Sequence, residues 1–538
     1  MPPLDTRARS GSPIYIAQRS AMLELLAEVR RLEAKVREHS GRADEKFHQR
    51  GQLPPRERLA RLLDPGAPFL ELMSLAGLGR HDDDGADQAS GGGSIVGVGL
   101  VCGVRCVISV SDSGIKGGAI APAGLAKSLR AQEIAFENRL PLINLVESAG
   151  ANLLYQSEVF VDGGRVFANL ARLSAAGIPV LTVVHGSSTA GGAYMPGLSD
   201  YVVVVRGQAK IFLAGPPLVK AALGEDADEE SLGGGEMHAT TTGSAEYAAE
   251  NDAEALLILR DLLSRLPRPA AAAGPAPSFE PPRFDPDGLA GAVPVDYRTP
   301  YDCREVIARL VDASDFLDFK PLYGSHTVCG HAAIEGQPIG IVGNNGPIDN
   351  QGATKAAQFI QLCCQSRLPI VYLQNTTGYM VGRRAEQDGI VKHGAQMIQA
   401  VANAKVPQLT LQIGGSFGAG NYGMCGRAFG PRFIFSWPNS RIAVMGSEQA
   451  ADVMAIVGAA KAKRAGQPLD PARLAAMRAG IVKQLEAEST ALFGSARLWD
   501  DGIIDPRDSR KVLAVCLAIC REAEAKKPQP TSFGVARF

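Results

Sequence analysis

The amino-acid sequence predicts a layered α/β protein made of two tandem copies of one domain. The first observation is an internal repeat, because Arg139-Leu140-Pro141 returns 228 residues later as Arg367-Leu368-Pro369. The same shift pairs Gly118 with Gly346, Lys127 with Lys355, Gly150 with Gly378, Pro179 with Pro407, Gly186 with Gly414, Gly192 with Gly420 and Tyr194 with Tyr422. The second is that β-branched runs alternate with glycine turns and helical stretches, which is typical of layered α/β units. The third is length, since 538 residues exceed what one core holds.

The elements follow in order along the chain. Residues 14–38 repeat apolar side chains at helical spacing and predict an amphipathic helix. We expect strands at 105–110, 142–146, 180–184 and 201–205 in the first half, and at 339–342, 370–373 and 408–413 in the second. A helix begins the second half near residues 301–304, and residues 485–521 look helical. Proline and alanine dominate residues 266–286 and favour an extended linker. The predicted domains are therefore 1–265, with the N-terminal helix, and 297–538, joined by a linker at 266–296.

Composition and charge exclude several classes of function. Apolar residues make up 46% and charged residues 21%, which is ordinary for a soluble globular protein. A net charge of −1 argues against nucleic-acid or membrane-surface binding. No signal-peptide or membrane-spanning run is visible. The nine cysteines are scattered without companion histidines, so we expect free thiols in a reducing cytoplasm and no metal site.

Two glycine-rich turns follow strands at matched positions, over residues 186–194 and 414–422. A strand that turns through small residues into a helix leaves unpaired N–H groups at the positive end of the helix dipole. Such amides can stabilise an oxyanion, and losing one donor costs a few kcal/mol of transition-state stabilisation. Tight packing alone would also explain one such turn. Two matched turns favour the chemical interpretation.

No side chain stands out as a catalytic base or nucleophile. Residues 418–423 match G-x-G-x-x-G, but no acidic residue follows at the spacing that dinucleotide binding requires. Residues 414–418 match G-x-S-x-G, but no histidine follows Ser416. His185 is more often a structural residue at such a strand end. Lys127 and Lys355 are as compatible with a structural role as with ligand contact. Two oxyanion sites without a base indicate that a cofactor supplies the base.

Several longer motifs resemble those of the carboxyltransferase (β) subunits of biotin-dependent acyl-CoA carboxylases. The resemblance covers nearly the whole chain, and its motifs are Arg50-Gly51-Gln52-Leu53-Pro54-Pro55-Arg56-Glu57-Arg58, Lys116-Gly117-Gly118, Phe212-Leu213-Ala214-Gly215-Pro216-Pro217-Leu218-Val219-Lys220, Gly418-Ala419-Gly420-Asn421-Tyr422-Gly423-Met424-Cys425-Gly426-Arg427, Ser436-Trp437-Pro438-Asn439-Ser440-Arg441-Ile442 and Val444-Met445-Gly446. The most similar branch carboxylates the γ-carbon of 3-methyl-branched enoyl thioesters.

The resemblance implies two crotonase-like (ClpP/crotonase superfamily) domains, with the active site between the N-domain of one subunit and the C-domain of another. It also implies biotin carried by a separate α subunit, which alone uses ATP, and a β-subunit hexamer within an α6β6-type complex. By residue match, Gly191 and Gly192 would hold the thioester enolate oxygen, and Ala419 and Gly420 the ureido oxygen of biotin. Further substrate contacts are implied at Gly117, Gly118, Gly163, Gly164, Ala193, Tyr194, Phe417 and Tyr422.

One departure from the family concerns the substrate. Methylcrotonyl-CoA enzymes carry a longer stretch at residues 158–167, with a bulky aromatic residue where Gly163 stands here. Removing that ring enlarges the pocket wall, and each extra buried CH2 of ligand contributes about 0.8 kcal/mol. The sequence therefore favours geranyl-CoA, with 3-methylcrotonyl-CoA as the alternative. A harmless loop deletion would also produce this difference.

Two other interpretations remain open. A biotin-dependent decarboxylase would use the same fold in reverse with a membrane partner. A non-catalytic scaffold of the hexamer would not need the glycine turns. Candidate CoA contacts are Arg50, Lys116 and Arg130, for each of which exposed charge is the simpler explanation.

Overall fold

The computed structural model describes residues 3–83, 90–266, 278–464 and 471–536. The chain divides into two compact units. The first, called unit N, comprises Arg31–Ala273, Ala496–Leu498 and Ile519–Phe538. The second, called unit C, comprises Met1–Arg30, Gly274–Ser495 and Trp499–Ala518. The boundaries predicted at 265 and 297 stay predictions, since most of the proline-rich stretch lies outside the described residues.

Both ends of the chain are divided differently from the predicted domains. The first residues join unit C, where the Leu4 amide donates to the Ser314 carbonyl oxygen at 2.9 Å. The last residues join unit N, where the Thr531 amide donates to the Ala175 carbonyl oxygen at 2.8 Å. Arg139 also donates to the carbonyl oxygen of Ala523 at 2.7 Å. Backbone hydrogen bonds of this kind are a physical reason for the division.

Unit N is built on a mixed sheet of eight strands in the order β1-β2-β3-β5-β7-β8-β10, with β9 beside β7 and a separate pair β4-β6. Its strands are β1 Leu70–Leu72, β2 Ser94–Val101, β3 Val104–Ser111, β4 Ala119–Ile120, β5 Leu142–Ser148, β6 Gly150–Ala151, β7 Val180–Thr189, β8 Tyr201–Val205, β9 Lys210–Phe212 and β10 Tyr247–Ala249. The first three strands are antiparallel, and pairing is parallel from β3 onward. The helices are α1 Pro13–Gly41, which continues from unit C, α2 Asp44–Gln49, α3 Pro55–Leu62, α4 Pro122–Glu137, α5 Gln156–Ala175, α6 Tyr194–Gly197, α7 Pro216–Leu223, α8 Glu229–Gly233, α9 Gly235–Thr240 and α10 Asp252–Arg265.

Unit C repeats this plan with seven strands in the order β11-β12-β13-β14-β15-β16, with β17 beside β15. Its strands are β11 Leu317–Asp318, β12 Thr327–Ile334, β13 Gln337–Asn344, β14 Ile370–Thr376, β15 Gln408–Phe417, β16 Phe433–Ser436 and β17 Arg441–Ala443. Its helices are α11 Leu289–Ala292, α12 Arg304–Leu310, α13 Asn350–Ser366, α14 Arg383–Gln387, α15 Ile390–Ala402, α16 Gly418–Gly423, α17 Ser447–Arg464, α18 Pro471–Glu488, α19 Ala491–Ala496 and α20 Ser509–Ala525, which ends in unit N.

The repeat predicted from sequence is confirmed in the structure. At a shift of 228 residues, β5 coincides with β14 and β7 with β15, end to end. The β2-β3 and β12-β13 hairpins match at a shift of 233 instead, because Val107 pairs with Leu142 as Gly340 pairs with Ile370. Unit N therefore has five more residues between β3 and α4 than unit C has between β13 and α13. The duplicated, crotonase-like α/β fold is thus confirmed, with one local difference in loop length.

One predicted element is wrong in detail. Residues 485–521 form three helices and not one, since α18 ends at Glu488 and α20 begins at Ser509. Gly502 has φ 147° and Pro506 lacks a donor, and both interrupt a helix here. The nine cysteines are free thiols, as expected. Within the described ranges, no helix combines the length and apolar character needed to span a membrane.

Candidate active site

The first glycine turn begins where β7 ends. A 3-10 turn over Ala190–Ala193 leads from this strand into α6. Ala190 has φ 53°, which is uncommon for a residue with a Cβ and marks a backbone held in place by its surroundings. Gly191 is exposed and Gly192 is buried, and a Cβ on Gly192 would lie 3.2 Å from Ser148 Oγ. A first helical turn leaves its N–H groups unpaired, so small residues here keep the amides accessible.

The second glycine turn has the same geometry in unit C. Gly418 has φ 54° at the position matched to Ala190. Ala419 is exposed at the start of α16, and a Cβ on Gly420 would lie only 2.8 Å from Gly378 Cα. Glycine is therefore required at 420. The two turns offer the same backbone arrangement to two different ligands.

A hydroxyl braces each turn from the neighbouring strand. Ser148 Oγ accepts a hydrogen bond from the Gly150 amide at 3.0 Å, and Thr376 Oγ1 accepts one from the Gly378 amide at 3.2 Å. Gly150 and Gly378 have φ of 85° and 114°, where a side chain would be strained. The bracing is therefore a property of the duplicated fold, and the two copies diverge elsewhere.

A cavity of about 120 Å³ opens beside the unit N turn. It lies between the sheet and helices α4 and α5, and it is lined by Gly92, Gly93, Ser94, Ser109, Ser111, Gly118, Ala119, Ile120, Gly124, Leu125, Ser128, Glu147, Ser148, Ala151, Val159, Gly163, Val166, Phe167, Gly191, Gly192 and Met195. Four of the predicted site residues, Gly118, Gly163, Gly191 and Gly192, thus share one cavity. The serines of the wall were not singled out from the sequence.

The other predicted contacts of unit N lie next to this cavity. A Cβ on Gly163 would have no atom within 4 Å, whereas Gly164 is exposed on the next position of α5. Gly117 is exposed with φ 64°. Ala193 is buried, and the exposed ring of Tyr194 packs 5.4 Å from that of Phe167. Their roles in ligand binding stay predictions.

The predicted aromatic residues of unit C differ in exposure. Phe417 is buried, with its ring 5.2 Å from that of Tyr297. Tyr422 is 46% exposed and stacks on Phe429 at 5.9 Å. Only Tyr422 therefore presents a ring surface to solvent, and contact of either residue with a ligand stays a prediction.

The G-x-S-x-G match in unit C has a structural explanation. Ser416 is fully buried, donates to Gln374 Oε1 at 2.6 Å and accepts from Asn421 Nδ2 at 2.8 Å. A hydroxyl enclosed in this way cannot attack a substrate. Within the described ranges, no group of three or more His, Cys, Asp or Glu side chains could hold a metal ion.

A buried ionic network lies behind the unit N turn. Arg58 donates to Asp252 Oδ2 at 3.1 Å and to Glu147 Oε2 at 3.2 Å, and His185 Nδ1 lies 2.8 Å from Asp252 Oδ1. Burial, with Arg58 adding to it, lowers the pKa of His185, so the imidazole is neutral. Burial alone would raise the pKa of Asp252, but its hydrogen bond to His185 and the charge of Arg58 outweigh this effect and lower it. His185 is thus structural, as the sequence favoured.

The paired lysines are both buried. Lys127 Nζ donates to the carbonyl oxygens of Gly91 at 3.0 Å and Ser94 at 2.6 Å, which fixes the segment that borders the cavity. Burial lowers the pKa of Lys127 to about 8. Burial also lowers the pKa of Lys355, its counterpart in α13. These contacts give Lys127 a structural role.

Comparison with known proteins gives one consistent family. The family model described as the carboxyl transferase domain matches residues 46–534. The probable biotin-dependent acyl-coenzyme A carboxylase β2 subunit of Mycobacterium tuberculosis is 51% identical over 92% of both chains. The probable mitochondrial methylcrotonoyl-CoA carboxylase β chain of Drosophila melanogaster is 48% identical over 96% of this chain and 92% of its own. The crystal structure of the P. aeruginosa geranyl-CoA carboxylase β subunit is 55% identical, covers 100% of both chains and superimposes with a TM-score of 0.93. The chain therefore belongs to the carboxyl transferase family, as its resemblance to the β subunits of biotin-dependent acyl-CoA carboxylases implied.

Proposed function

We propose that this protein is the carboxyltransferase β subunit of a biotin-dependent geranyl-CoA carboxylase, which transfers CO2 to the γ-carbon of the thioester. The observation that carries the proposal is the open cavity wall at Gly163, directly beside the glycine turn of unit N. The 55% identity to the P. aeruginosa geranyl-CoA carboxylase β subunit over the whole chain supports the same substrate.

The size of the cavity suits a terpenoid tail. A cavity of about 150 Å³ holds a benzene-sized group in another protein, and the cavity here measures about 120 Å³. Geranyl-CoA carries five more carbons than 3-methylcrotonyl-CoA, which is close to that size. Val159, Val166 and Phe167 supply apolar walls for such a tail. A methylcrotonyl group would leave much of this space unfilled.

The two glycine turns would hold two negative charges. Gly191 and Gly192 are assigned to the enolate oxygen of the thioester, since they border the acyl cavity. Ala419 and Gly420 are assigned to the ureido oxygen of biotin, because Ala419 is exposed and its turn is free of bulky side chains. Carboxybiotin, carried on a separate α subunit, supplies the CO2 and the base. The chain itself orients the thioester and stabilises developing charge with backbone amides.

Assembly follows the same family pattern in this proposal. The ATP-dependent step belongs to the α subunit, and the β subunits form a hexamer within an α6β6-type cytoplasmic complex. The active site would then join unit N of one subunit to unit C of another. The other glycine, Gly118, lines the cavity near the position expected for the thioester.

A chain-length series tests the substrate. The complex with the cognate α subunit is assayed with 3-methyl-2-enoyl-CoA thioesters from methylcrotonyl to geranyl. We expect kcat/KM to rise with chain length by up to about fourfold per added CH2, the equivalent of about 0.8 kcal/mol. Good turnover of methylcrotonyl-CoA with no turnover of geranyl-CoA would refute the proposal and favour the leucine-degradation enzyme represented by the Drosophila relative.

A further inference from the structure

Serine hydroxyls line the end of the cavity that lies away from the glycine turn. Ser109 and Ser111 are two residues apart on β3 and face the same side of the sheet. Ser94, at the start of β2, is the register partner of Ser111. All three line the cavity, and Ser94 Oγ is buried without a hydrogen-bond partner among the described residues. This end of the cavity is therefore polar, in contrast to the walls near Gly163.

The fold does not require hydroxyls at these positions. The position of unit C matched to Ser109 is Val342, since the two hairpins correspond at a shift of 233 residues. Val342 is fully buried in the apolar core of unit C, together with Phe359 and Ile360. An apolar residue thus fills this position in the second copy. Serine in the first copy is a feature of its cavity.

An entirely apolar chain would suit this end poorly. A buried hydroxyl that contacts only hydrocarbon loses its hydrogen bonds to water, which weakens binding. A hydroxyl on the ligand can donate to one serine and accept from another. A carboxylate would suit it less, because the Lys127 ammonium group is occupied by two carbonyl oxygens and Glu147 also lines the cavity.

The distance to these serines selects a long chain. β3 lies two strands away from β7, which corresponds to about 10 Å across the sheet. The four-carbon main chain of a methylcrotonyl group has three bonds of about 1.5 Å and cannot reach that far. The eight-carbon main chain of a geranyl group has seven such bonds, or about 10 Å at most. Only the far end of a terpenoid chain reaches Ser109.

We propose that Ser94, Ser109 and Ser111 form a subsite for an uncharged hydroxyl group at the far end of a terpenoid enoyl-CoA. The subsite rests on the proposed function, because it requires the acyl chain to occupy this cavity. It extends the substrate class from geranyl-CoA to terpenoid thioesters hydroxylated at the terminal carbon.

The test compares geranyl-CoA with 8-hydroxygeranyl-CoA on the complex with its α subunit. Kd is measured without ATP, so that binding is separated from carboxylation, and kcat/KM is measured with ATP. We expect the hydroxylated thioester to bind about five- to tenfold more tightly, the range of one net hydrogen bond. In the double variant Ser109→Ala/Ser111→Ala, this preference should fall to about one. Ser128→Ala is the matched control, because the Ser128 hydroxyl already donates to the Gly124 carbonyl oxygen at 3.0 Å, and the preference should persist.

The outcomes separate the two proposals. Equal or weaker binding of the hydroxylated thioester by the wild-type complex, or a preference that survives in the double variant, would overturn the subsite while geranyl-CoA turnover still supports the proposed function. Failure of both ten-carbon thioesters to bind, with methylcrotonyl-CoA still carboxylated, would overturn the proposed function and the subsite with it.

Discussion

Gly163→Phe should convert the substrate preference from geranyl-CoA to 3-methylcrotonyl-CoA. Gly163 lies on α5 in the cavity wall, and a Cβ there has no atom within 4 Å, so a ring can enter without displacing the backbone. The ring would take the space of the terpenoid tail within a cavity of about 120 Å³. Five additional carbons at about 0.8 kcal/mol each amount to about 4 kcal/mol of lost binding. At about 1.4 kcal/mol per factor of ten, kcat/KM for geranyl-CoA should fall up to about 1000-fold.

The assay measures kcat/KM for both thioesters with the purified complex of α and β subunits. For methylcrotonyl-CoA we expect a change of less than about tenfold, since its short chain leaves the ring unhindered. Gly164→Phe is the matched control, because it adds the same ring to the exposed next position of the same helix. Light scattering after size exclusion confirms that both variants assemble as the wild type does.

Two results would refute this reasoning. If Gly163→Phe keeps its geranyl-CoA activity, the acyl chain does not pass along this wall. If Gly164→Phe loses geranyl-CoA activity to the same extent, the effect arises from α5 as a whole and not from the cavity. Replacing glycine within a helix removes a cost of up to about 1 kcal/mol, so loss of stability would not explain either outcome.

Three further predictions concern the turn, the ionic network and a buried acid. Gly192→Val should lower kcat at least about 100-fold with assembly unchanged, because its Cβ would lie 3.2 Å from Ser148 Oγ and would disturb the amides of the turn; normal steady-state rates would reject the oxyanion assignment. Arg58→Leu leaves two buried carboxylates without their cation and should destabilise the fold by about 3–5 kcal/mol, measured by denaturant unfolding, where an unchanged midpoint would contradict it. Burial raises the pKa of Asp500 from 3.8 to about 6. Since the folded protein binds this proton more tightly than the unfolded chain does, its stabilising contribution is full below about pH 4 and is lost as the pH rises through about 6. Asp500→Asn should therefore flatten the unfolding midpoint between these pH values, and an undiminished slope would show that another group is responsible.

Periodicity and the repeat predict most of the fold, for identifiable reasons. Strands β5 and β14 are buried along most of their length and read as continuous apolar runs, so they were located correctly. The change of shift from 228 to 233 was not foreseen, because only Gly118 and Gly346 were matched before α4. Membership of the chain ends could not be predicted, since it depends on tertiary contacts such as that of Thr531 with Ala175.

The site was predicted from its backbone more fully than from its side chains. Glycines at 191, 192 and 420 stand out because a missing Cβ is visible in any sequence. The hydroxyls of Ser109 and Ser111 carry no such signal, because serine at alternate positions of a strand is equally typical of an exposed face. Their importance depends on the helices that enclose the cavity. The Arg58 network was missed for the same reason, as Arg58 and Asp252 are 194 residues apart.

The two copies support their turns with different chemistry at matched positions. In unit N, Gln52 Nε2 donates to the His185 carbonyl oxygen at 2.9 Å, and the Glu147 carboxylate packs under Gly186. In unit C, Tyr301 donates to the Ile413 carbonyl oxygen at 3.2 Å, and the neutral amide of Asn375 packs under Gly414. Each strand end is fixed by the same two contacts, but only unit N uses buried charges. A buried ion pair is costly to desolvate and contributes little net stability over apolar packing, so stability alone does not explain it. It does fix the strand end in one position, because moving either carboxylate away from Arg58 would leave a buried charge unpaired. The half that must orient a flexible terpenoid chain is therefore also the half whose turn is held most rigidly.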